Sequence, residues 1–125
     1  GGADMIEMEL VSDEVTLIGA GLRYRALELH ETIASQYVTL ANRMTYIGSY
    51  EFEYAEASLI ILGLMDFAKD HELMFGGPSD LSDKAQSLSD QVFHLAFKGA
   101  LNRKLEDFIR AAQVAEQRWM MELVG

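Results

Sequence analysis

The chain has 125 residues, the length of a single domain, and half of them are apolar, which excludes disorder by composition. It contains no cysteine, so disulfides, thiolate metal ligands and a cysteine nucleophile are excluded. The formal net charge of −10 repels nucleic-acid phosphate and favours basic partners or cations. The negative charge is concentrated in residues 1–90, which carry −11, whereas residues 91–125 carry +1. We therefore expect no nucleic-acid partner.

No stretch of the sequence has the length and composition of a membrane span. The longest run without a charged residue, residues 32–42, is far shorter than the roughly 20 apolar residues that a span needs. The N terminus also lacks the basic and apolar regions of a secretory signal. The sequence thus predicts a soluble, cytoplasmic protein with no membrane partner.

The first residues alternate apolar and polar side chains from residue 6 to residue 11, a pattern typical of extended chain. One strand cannot form a sheet alone, so residues 1–11 are predicted to be an extended arm or a processing remnant. Ser12 is expected to cap the first helix, with Asp13 and Glu14 in its first turn.

The first helical region carries an apolar stripe at steps of three and four residues from Val15 to Ile47. Gly19 and Gly21 lie within this region, where they can break the helix or let another helix approach closely. Gly48 follows the stripe in the position of a helix C-terminal glycine. The pattern predicts one long helix, or two if the glycines interrupt it.

Residues 50–75 form the segment around which the other helices are predicted to pack. Between Glu56 and Lys69 the single charged residue is Asp66. A helix that is apolar on nearly every side has to be covered on more than one side. The Gly-Gly-Pro run at residues 76–78 ends this central helix.

The last segment repeats the helical spacing from Leu81 to Trp119, and Lys98 and Gly99 interrupt it in the manner of a helix end. Short turns between helices favour antiparallel packing. The sequence as a whole therefore predicts an all-α, single-domain antiparallel bundle of three to four helices around a central helix of about residues 50–75. Three long helices are too elongated for a compact monomer, so we expect a homodimer.

Carboxylates at helical spacing form the most distinctive set of polar residues. The candidate metal ligands are Glu28, Glu31, Glu53, Glu56, Asp66 and Asp70. Two carboxylate pairs that face each other across a bundle would make an oxygen-rich site suited to Mg²⁺ or Mn²⁺. The alternative is that these acids form an exposed face and cap the helices.

Two families of metal-binding helical proteins have related but different spacings. All-α nucleotide pyrophosphohydrolases carry Glu-Glu-x-x-Glu followed by Glu-x-x-Asp, whereas this sequence has Glu53-x-x-Glu56 and then Asp66-x-x-x-Asp70. Ferritin-like di-iron sites need Glu-x-x-His, and no histidine of this chain has a glutamate three residues before it. Neither family can be assigned.

Asp66 stands apart from the other acids because it lies inside the apolar run. A buried carboxylate needs a partner, or its pKa rises until it is neutral. Arginines on other helices can provide that partner, and the candidates are Arg23, Arg43 and Arg103. A structural ion pair is thus the alternative to a metal-binding role for Asp66.

Arg25-x-x-x-x-His30 resembles the catalytic pair of the HEPN ribonucleases, which are small, all-α and often dimeric. The resemblance implies that the histidine assists proton transfer from an RNA 2′-hydroxyl. It covers two residues, occurs earlier in the chain than is usual for that family, and has Ala26 after the arginine where a polar residue is usual. The acidic composition also disfavours an RNA substrate.

Tyr46, Tyr50 and Tyr54 recur every four residues, and Trp119 lies near the C terminus. Exposed aromatic residues are typical of protein interfaces and of small apolar pockets, so these four form a candidate partner or ligand surface. Aromatic residues at helical spacing are also typical of a core.

We expect first a non-enzymatic, inhibitor- or immunity-like regulatory module that binds a basic protein partner and requires no cofactor. The first alternative is a divalent-metal-dependent hydrolase of nucleotides or phosphate esters, with Mg²⁺ or Mn²⁺ held by helix-borne carboxylates. A bundle that encloses a small apolar ligand and a HEPN-type ribonuclease rank after these.

Overall fold

A computed structural model describes residues 5–97, 110 and 112–118 of the chain. This part is mostly helical, as the sequence predicts, and it also contains a small two-stranded sheet. In chain order the elements are β1 (Met5–Leu10), α1 (Ser12–Ala26), α2 (Glu31–Asn42), β2 (Gly48–Glu53), α3 (Tyr54–Phe75) and α4 (Asp80–Phe97). Residues 110 and 112–118 are also helical. The predictions for Gly99, Arg103 and Trp119 fall outside the described residues.

The sheet corrects two predictions, because β1 pairs antiparallel with β2, so that Met8 lies opposite Tyr50. The N-terminal segment is therefore a paired strand, and the segment after Gly48 is a strand where a helix start was predicted. The physical reason is the strict polar–apolar alternation of Ser49-Tyr-Glu-Phe-Glu53, which matches that of β1 and lets each strand bury one face. The buried face consists of Ile6, Met8, Leu10, Tyr50 and Phe52.

The first helical region is divided at residues 27–30, and its two glycines do not break it. The amides of Leu27 and Glu28 donate to the carbonyls of Tyr24 and Arg25, which tightens the end of α1 into a final turn. His30 then precedes α2, and its side chain accepts a hydrogen bond from the amide of Thr32. A capping histidine, rather than a glycine, marks this break.

Gly21 of α1 and Gly63 of α3 instead allow the two helices to touch along their backbones. A Cβ atom on Gly63 would lie 2.9 Å from the carbonyl carbon and oxygen of Gly21, which is closer than real Cβ contacts. The reciprocal Cβ on Gly21 would lie 3.0 Å from the carbonyl carbon of Gly63. The close approach brings the following turns of both helices within reach of each other's side chains.

α3 packs against α1 and also against α4. Its fully buried side chains are Ala57, Ile60, Ile61, Leu64 and Ala68. The helix begins at Tyr54 rather than at residue 50 because β2 precedes it, and it ends at Phe75 as predicted. Gly76 follows in the left-handed conformation with φ +83°, which suits glycine. Within the described residues, no helix has the length and apolar character needed to cross a membrane.

Hydrogen bonds at the starts of the helices refine the predicted caps. Val11, not Ser12, occupies the cap position of α1, and the Glu14 carboxylate accepts from the Val11 amide at 3.0 Å. At the start of α4, Ser79 caps the helix, because its Oγ accepts a hydrogen bond from the amide of Ser82 at 3.1 Å. Caps of this kind satisfy amides that have no partner within the helix.

Candidate metal centre

Three of the six candidate carboxylates converge where the end of α1 meets the middle of α3. Asp66 and Asp70 are one turn apart on α3, and Glu28 follows α1. One carboxylate oxygen from each of the three lies within 4.8 Å of the others. Glu28 is exposed, whereas Asp66 and Asp70 are half-buried. The arrangement offers hard oxygen ligands from two sides of one point.

The contact between α1 and α3 explains why these residues meet. Gly21 touches Gly63, and one turn further along α1, Arg25 reaches Asp66. The extra turn at Leu27 and Glu28 carries the Glu28 carboxylate beyond the end of α1 towards the same side. Because the helix stops there, Glu31 begins α2 and does not belong to this group.

Tyr24 holds one of the three carboxylates in position. Its hydroxyl donates to Asp70 Oδ2 at 2.5 Å, and its ring packs edge-to-face on Phe67. The hydrogen bond to Asp70, together with desolvation and the negative charges nearby, raises the pKa of Tyr24 to about 12. The hydroxyl therefore stays protonated, and remains a donor to Asp70, at any physiological pH.

Arg25 is the cation beside the carboxylates. Its Nη1 lies 3.9 Å from Asp66 Oδ2, and its Nη2 donates to Glu116 Oε2 at 2.7 Å. The Nε of Arg25 also donates to the hydroxyl of the buried Tyr37, and that hydroxyl donates to Glu116. Burial acts to lower the pKa of Arg25, but the bonds to Glu116 and Tyr37 raise it above its ordinary value. The guanidinium is thus a fixed positive charge.

This network corrects the predicted partner of Asp66. Arg23 donates to the side chain of Asn42 at 3.2 Å, and Arg43 pairs with Glu56, so neither of them serves Asp66. Glu116, which is 5% exposed, was missed altogether. The signal was present, because residue 116 lies on the same stripe as Ala112, Ala115 and Trp119, where a charged residue has to be paired.

The carboxyl group of Glu28 has a raised pKa. Desolvation raises its pKa above the ordinary value of 4.5, and a hydrogen bond to Asp66 and the charges of Asp66 and Asp70 raise it further. Arg25 acts in the opposite direction, with a smaller effect. Crowded carboxylates of this kind hold a proton more tightly, and a cation placed among them would relieve the same repulsion.

A cavity of about 590 Å³ opens beside the carboxylates, between α1, α3, α4 and residue 113. Asp66 and Arg25 belong to its wall, and so do Lys69 of α3 and Ser89 of α4. Two buried wall atoms, Asp66 Oδ2 and Ser89 Oγ, have no hydrogen-bond partner among the described residues. Such a volume is in the range of small-molecule sites, and two further carboxylates, those of Glu72 and Asp90, also line it.

The structure places Glu53 and Glu56 elsewhere. They form a capping box at the start of α3, in which Glu56 Oε1 accepts from the Glu53 amide at 2.8 Å. The other oxygen of Glu56 pairs with Arg43. Both glutamates line a separate groove of about 460 Å³ between α2, α3 and the 112–118 segment. They therefore cap a helix and are not part of the carboxylate group.

Arg25 and His30, the ribonuclease-like pair, have separate hydrogen-bond partners in the structure. The guanidinium of Arg25 is engaged by Glu116 and Tyr37, whereas His30 is exposed and caps α2 through its ring nitrogen. The side chains thus have different partners on different elements. Spacing along a helix could not reveal this, because the helix ends between the two residues.

The predicted aromatic surface is only partly exposed. Tyr50 is buried in β2, and its ring stacks between those of Tyr46, at 4.2 Å, and Phe52, at 5.6 Å. Tyr46 is 51% exposed and Tyr54 is 37% exposed. The three tyrosines, four residues apart, do not lie on one face of a helix, because β2 separates Tyr46 from α3.

No protein-family model, no curated protein and no solved structure matches this chain. Function is therefore inferred from the chemistry of the site itself.

Proposed function

We propose that this protein is a divalent-metal-dependent hydrolase of phosphate esters or nucleotides, with the cation held by Glu28, Asp66 and Asp70. The observation that carries the proposal is the convergence of three carboxylate oxygens within 4.8 Å beside a cavity that holds two basic side chains. Carboxylates suit Mg²⁺ or Mn²⁺, which commonly keep several waters and bind substrate phosphate. Lys69 and Arg25 add positive charge to the cavity wall.

The charges of the site favour a cation. Three carboxylates face one fixed guanidinium, so the group is negative overall when it is ionised. The hydroxyl of Tyr24 donates a hydrogen bond to one oxygen of Asp70. A carboxylate oxygen of Asp70 also lies close to those of Glu28 and Asp66. Hydrogen-bond donors behind metal ligands of this type fix the ligand geometry.

The reaction expected at such a site is hydrolysis of a P–O ester bond. When bound, the cation supplies charge stabilisation for the phosphate and lowers the pKa of a coordinated water. The oxygen of a water forms a bond to phosphorus, the ester P–O bond breaks, and the departing oxygen takes up the proton that the water releases. Arg25 and Lys69 would offset the negative charge that develops on the phosphate oxygens.

The test is thermal unfolding with and without millimolar Mn²⁺ or Mg²⁺. A cation that binds the folded state raises the melting temperature in a dose-dependent way. We expect this rise for the wild type and its loss in Asp66→Asn/Asp70→Asn. The double variant Glu7→Gln/Glu51→Gln removes the same charge from the exposed face of the sheet and should retain the rise. An equal response from both double variants would show diffuse screening and would refute the site.

A second candidate, the acidic module that binds a basic protein, is favoured by a different surface. The exposed face of the sheet presents four carboxylates, from Glu7 and Glu9 of β1 and Glu51 and Glu53 of β2. A lysine-rich peptide should bind this face with an affinity that falls with salt, and Glu7→Gln/Glu51→Gln should weaken the binding. If Asp66→Asn/Asp70→Asn binds the peptide as tightly as the wild type does, the contact lies on the sheet and not at the carboxylate group.

A further inference from the structure

The outer edges of the two strands differ in what covers them. On β2, the carbonyl of Glu51 accepts a hydrogen bond from Arg43 Nη2 at 3.0 Å, and the carbonyl of Ser49 accepts one from the hydroxyl of Tyr46 at 2.9 Å. These carbonyls point away from β1, because side chains from outside the sheet reach them. The outer edge of β2 is therefore already partnered and does not offer itself to a further strand.

The outer edge of β1 lacks such partners. In an antiparallel pair, residues whose backbone groups point outward lie directly opposite each other. Glu7 lies opposite Glu51 and Glu9 lies opposite Ser49, so the amides and carbonyls of Glu7 and Glu9 point away from β2. Among the described residues, no hydrogen bond from outside the sheet reaches these backbone groups. An edge of this kind is a template for pairing with another strand.

The side chains beside this edge select the partner by charge. Glu7 and Glu9 are exposed, and the ion pairs found among the described residues include neither of them. Glu9 accepts from the hydroxyl of Ser49, a neutral partner that leaves its charge in place. A second copy of β1 would bring its own glutamates beside these, and like charges on neighbouring strands are destabilising. The edge therefore disfavours a second copy and favours a strand with basic side chains.

The opposite face of β1 sets the remaining positions of such a strand. Ile6, Met8 and Leu10 are buried on the side of the helices. Side chains alternate between the two faces of a sheet, so every second residue of a neighbouring strand lies on this same face. Apolar residues suit these positions, and basic residues suit the positions beside Glu7 and Glu9. The complementary strand therefore alternates basic and apolar side chains.

We infer that β1 takes up an antiparallel third strand from a basic protein partner, in which lysine or arginine alternates with apolar residues. A basic residue of that strand lies opposite each exposed glutamate of β1 and exchanges two backbone hydrogen bonds with it. The inference rests on the second candidate function, the acidic module, and is independent of the cation site. It adds the mode of binding, in which backbone pairing provides affinity and the side chains provide specificity.

The experiment measures the fluorescence anisotropy of dye-labelled peptides titrated with the whole chain. A short peptide that alternates lysine and valine should bind about tenfold more tightly than one with the same residues in separate blocks, because only the alternating peptide places every lysine on one face of a strand. N-methylation of the lysine amides, which point towards β1, should abolish this gain. N-methylation of the valine amides, which point away from β1, should preserve it.

Variants of the protein locate the peptide on the sheet. Glu7→Gln and Glu51→Gln are matched, since both residues are exposed glutamates that lie opposite each other. Glu7→Gln should weaken the alternating peptide more, because Glu51 lies one strand further from the free edge. Glu7→Pro should weaken it beyond Glu7→Gln, since proline removes an amide from that edge, where a strand tolerates it. The methylated peptides test the same hydrogen bonds without altering the protein.

The outcomes separate strand addition from charge attraction alone. If the alternating and block peptides bind equally, and Glu7→Gln and Glu51→Gln weaken both alike, the acidic module stands and the third strand is wrong. If neither peptide binds at low salt, the acidic module and the third strand are both refuted. If methylated valine amides block binding while methylated lysine amides do not, the antiparallel pairing is wrong.

Discussion

Gly21 and Gly63 place the backbones of α1 and α3 in direct contact, with a prospective Cβ on either residue 3.0 Å or less from the carbonyl carbon of the other. The contact matters for the site because the residues that follow it, Tyr24 and Arg25 on α1 and Asp66 on α3, reach across the same junction. Two side-chain-free positions thus set the distance between the two halves of the carboxylate group.

The first prediction follows from that distance. Gly63→Ala should lower the free energy of unfolding by about 1 kcal/mol, because overpacking against backbone costs about 1–3 kcal/mol and the gain in helix propensity returns only about 1 kcal/mol. Gly19→Ala is the matched control in α1, since its Cβ would meet a flexible Arg23 side chain at 3.3 Å. It should be neutral or stabilising by up to about 1 kcal/mol. Urea denaturation measures both, and equal effects would show that the helices do not cross here.

The second prediction concerns the buried network of Arg25, Tyr37 and Glu116. Glu116→Ala leaves the guanidinium without its closest carboxylate and should cost about 2–4 kcal/mol of unfolding free energy. Tyr37→Phe removes only a hydroxyl from the same network and should cost about 1 kcal/mol. Urea denaturation of the single and double variants gives the coupling energy. Additive effects would mean that residue 116 does not share a network with Tyr37.

The third prediction uses Glu7 and Glu51, which lie directly opposite each other on β1 and β2. Like charges in this position repel, whereas opposite charges contribute about 0.2–1 kcal/mol. Glu7→Lys should therefore raise the free energy of unfolding by an amount in that range. The double variant Glu7→Lys/Glu51→Lys restores a like-charged pair and should lose the gain. A double variant as stable as the single one would contradict the antiparallel register.

The sequence predicted a helix correctly where apolar residues occupy nearly every side of the segment, as in α3, and where the Gly-Gly-Pro run ends it. It failed at residues 48–53, because five alternating residues also fit the start of a helix, and only pairing with β1 decides between them. For the candidate site, spacing along one helix predicted that Asp66 and Asp70 lie close together, as they do, whereas Glu28 and Glu31, which have the same kind of spacing, lie in different segments. These two glutamates lie apart because the helix is interrupted at residues 27–30. His30 caps the helix that follows, and a histidine at a cap position has no strong sequence signal.

The fourth prediction concerns pH. Because the pKa of Glu28 in the folded protein lies above its ordinary value of 4.5, the folded state binds this proton more tightly than the unfolded state does. Its contribution to stability is therefore present below pH 4.5 and is lost as the pH rises through the raised pKa. A bound cation displaces the proton, so the affinity for Mn²⁺ should rise about tenfold per pH unit in that window.

Glu28→Gln tests this pH dependence. The variant should bind Mn²⁺ more weakly, and its affinity should rise less steeply with pH above 4.5 than that of the wild type. Glu31→Gln removes a carboxylate three residues away, at the start of α2, and should reproduce the wild-type profile. Fluorescence-monitored or calorimetric titration across this range measures both. Parallel profiles for Glu28→Gln and the wild type would exclude Glu28 as a cation ligand.

The fifth prediction concerns the hydrogen bond from Tyr24 to Asp70. Tyr24→Phe removes the donor that orients the carboxylate, and loss of such a partner weakens metal binding about 10-fold or more. The ring is retained, so the edge-to-face contact with Phe67 persists and the fold should be kept.

The pKa of Tyr24 is raised to about 12, so its contribution to stability is present below pH 10 and is lost as the pH rises towards 12. The wild type should therefore lose stability over this interval more steeply than Tyr24→Phe, as measured by urea denaturation at each pH. If Tyr24→Phe differs from the wild type in its stability between pH 10 and pH 12 but not in its Mn²⁺ affinity, the hydrogen bond is structural only. In that case the orientation of Asp70 by Tyr24 is not part of the proposed site.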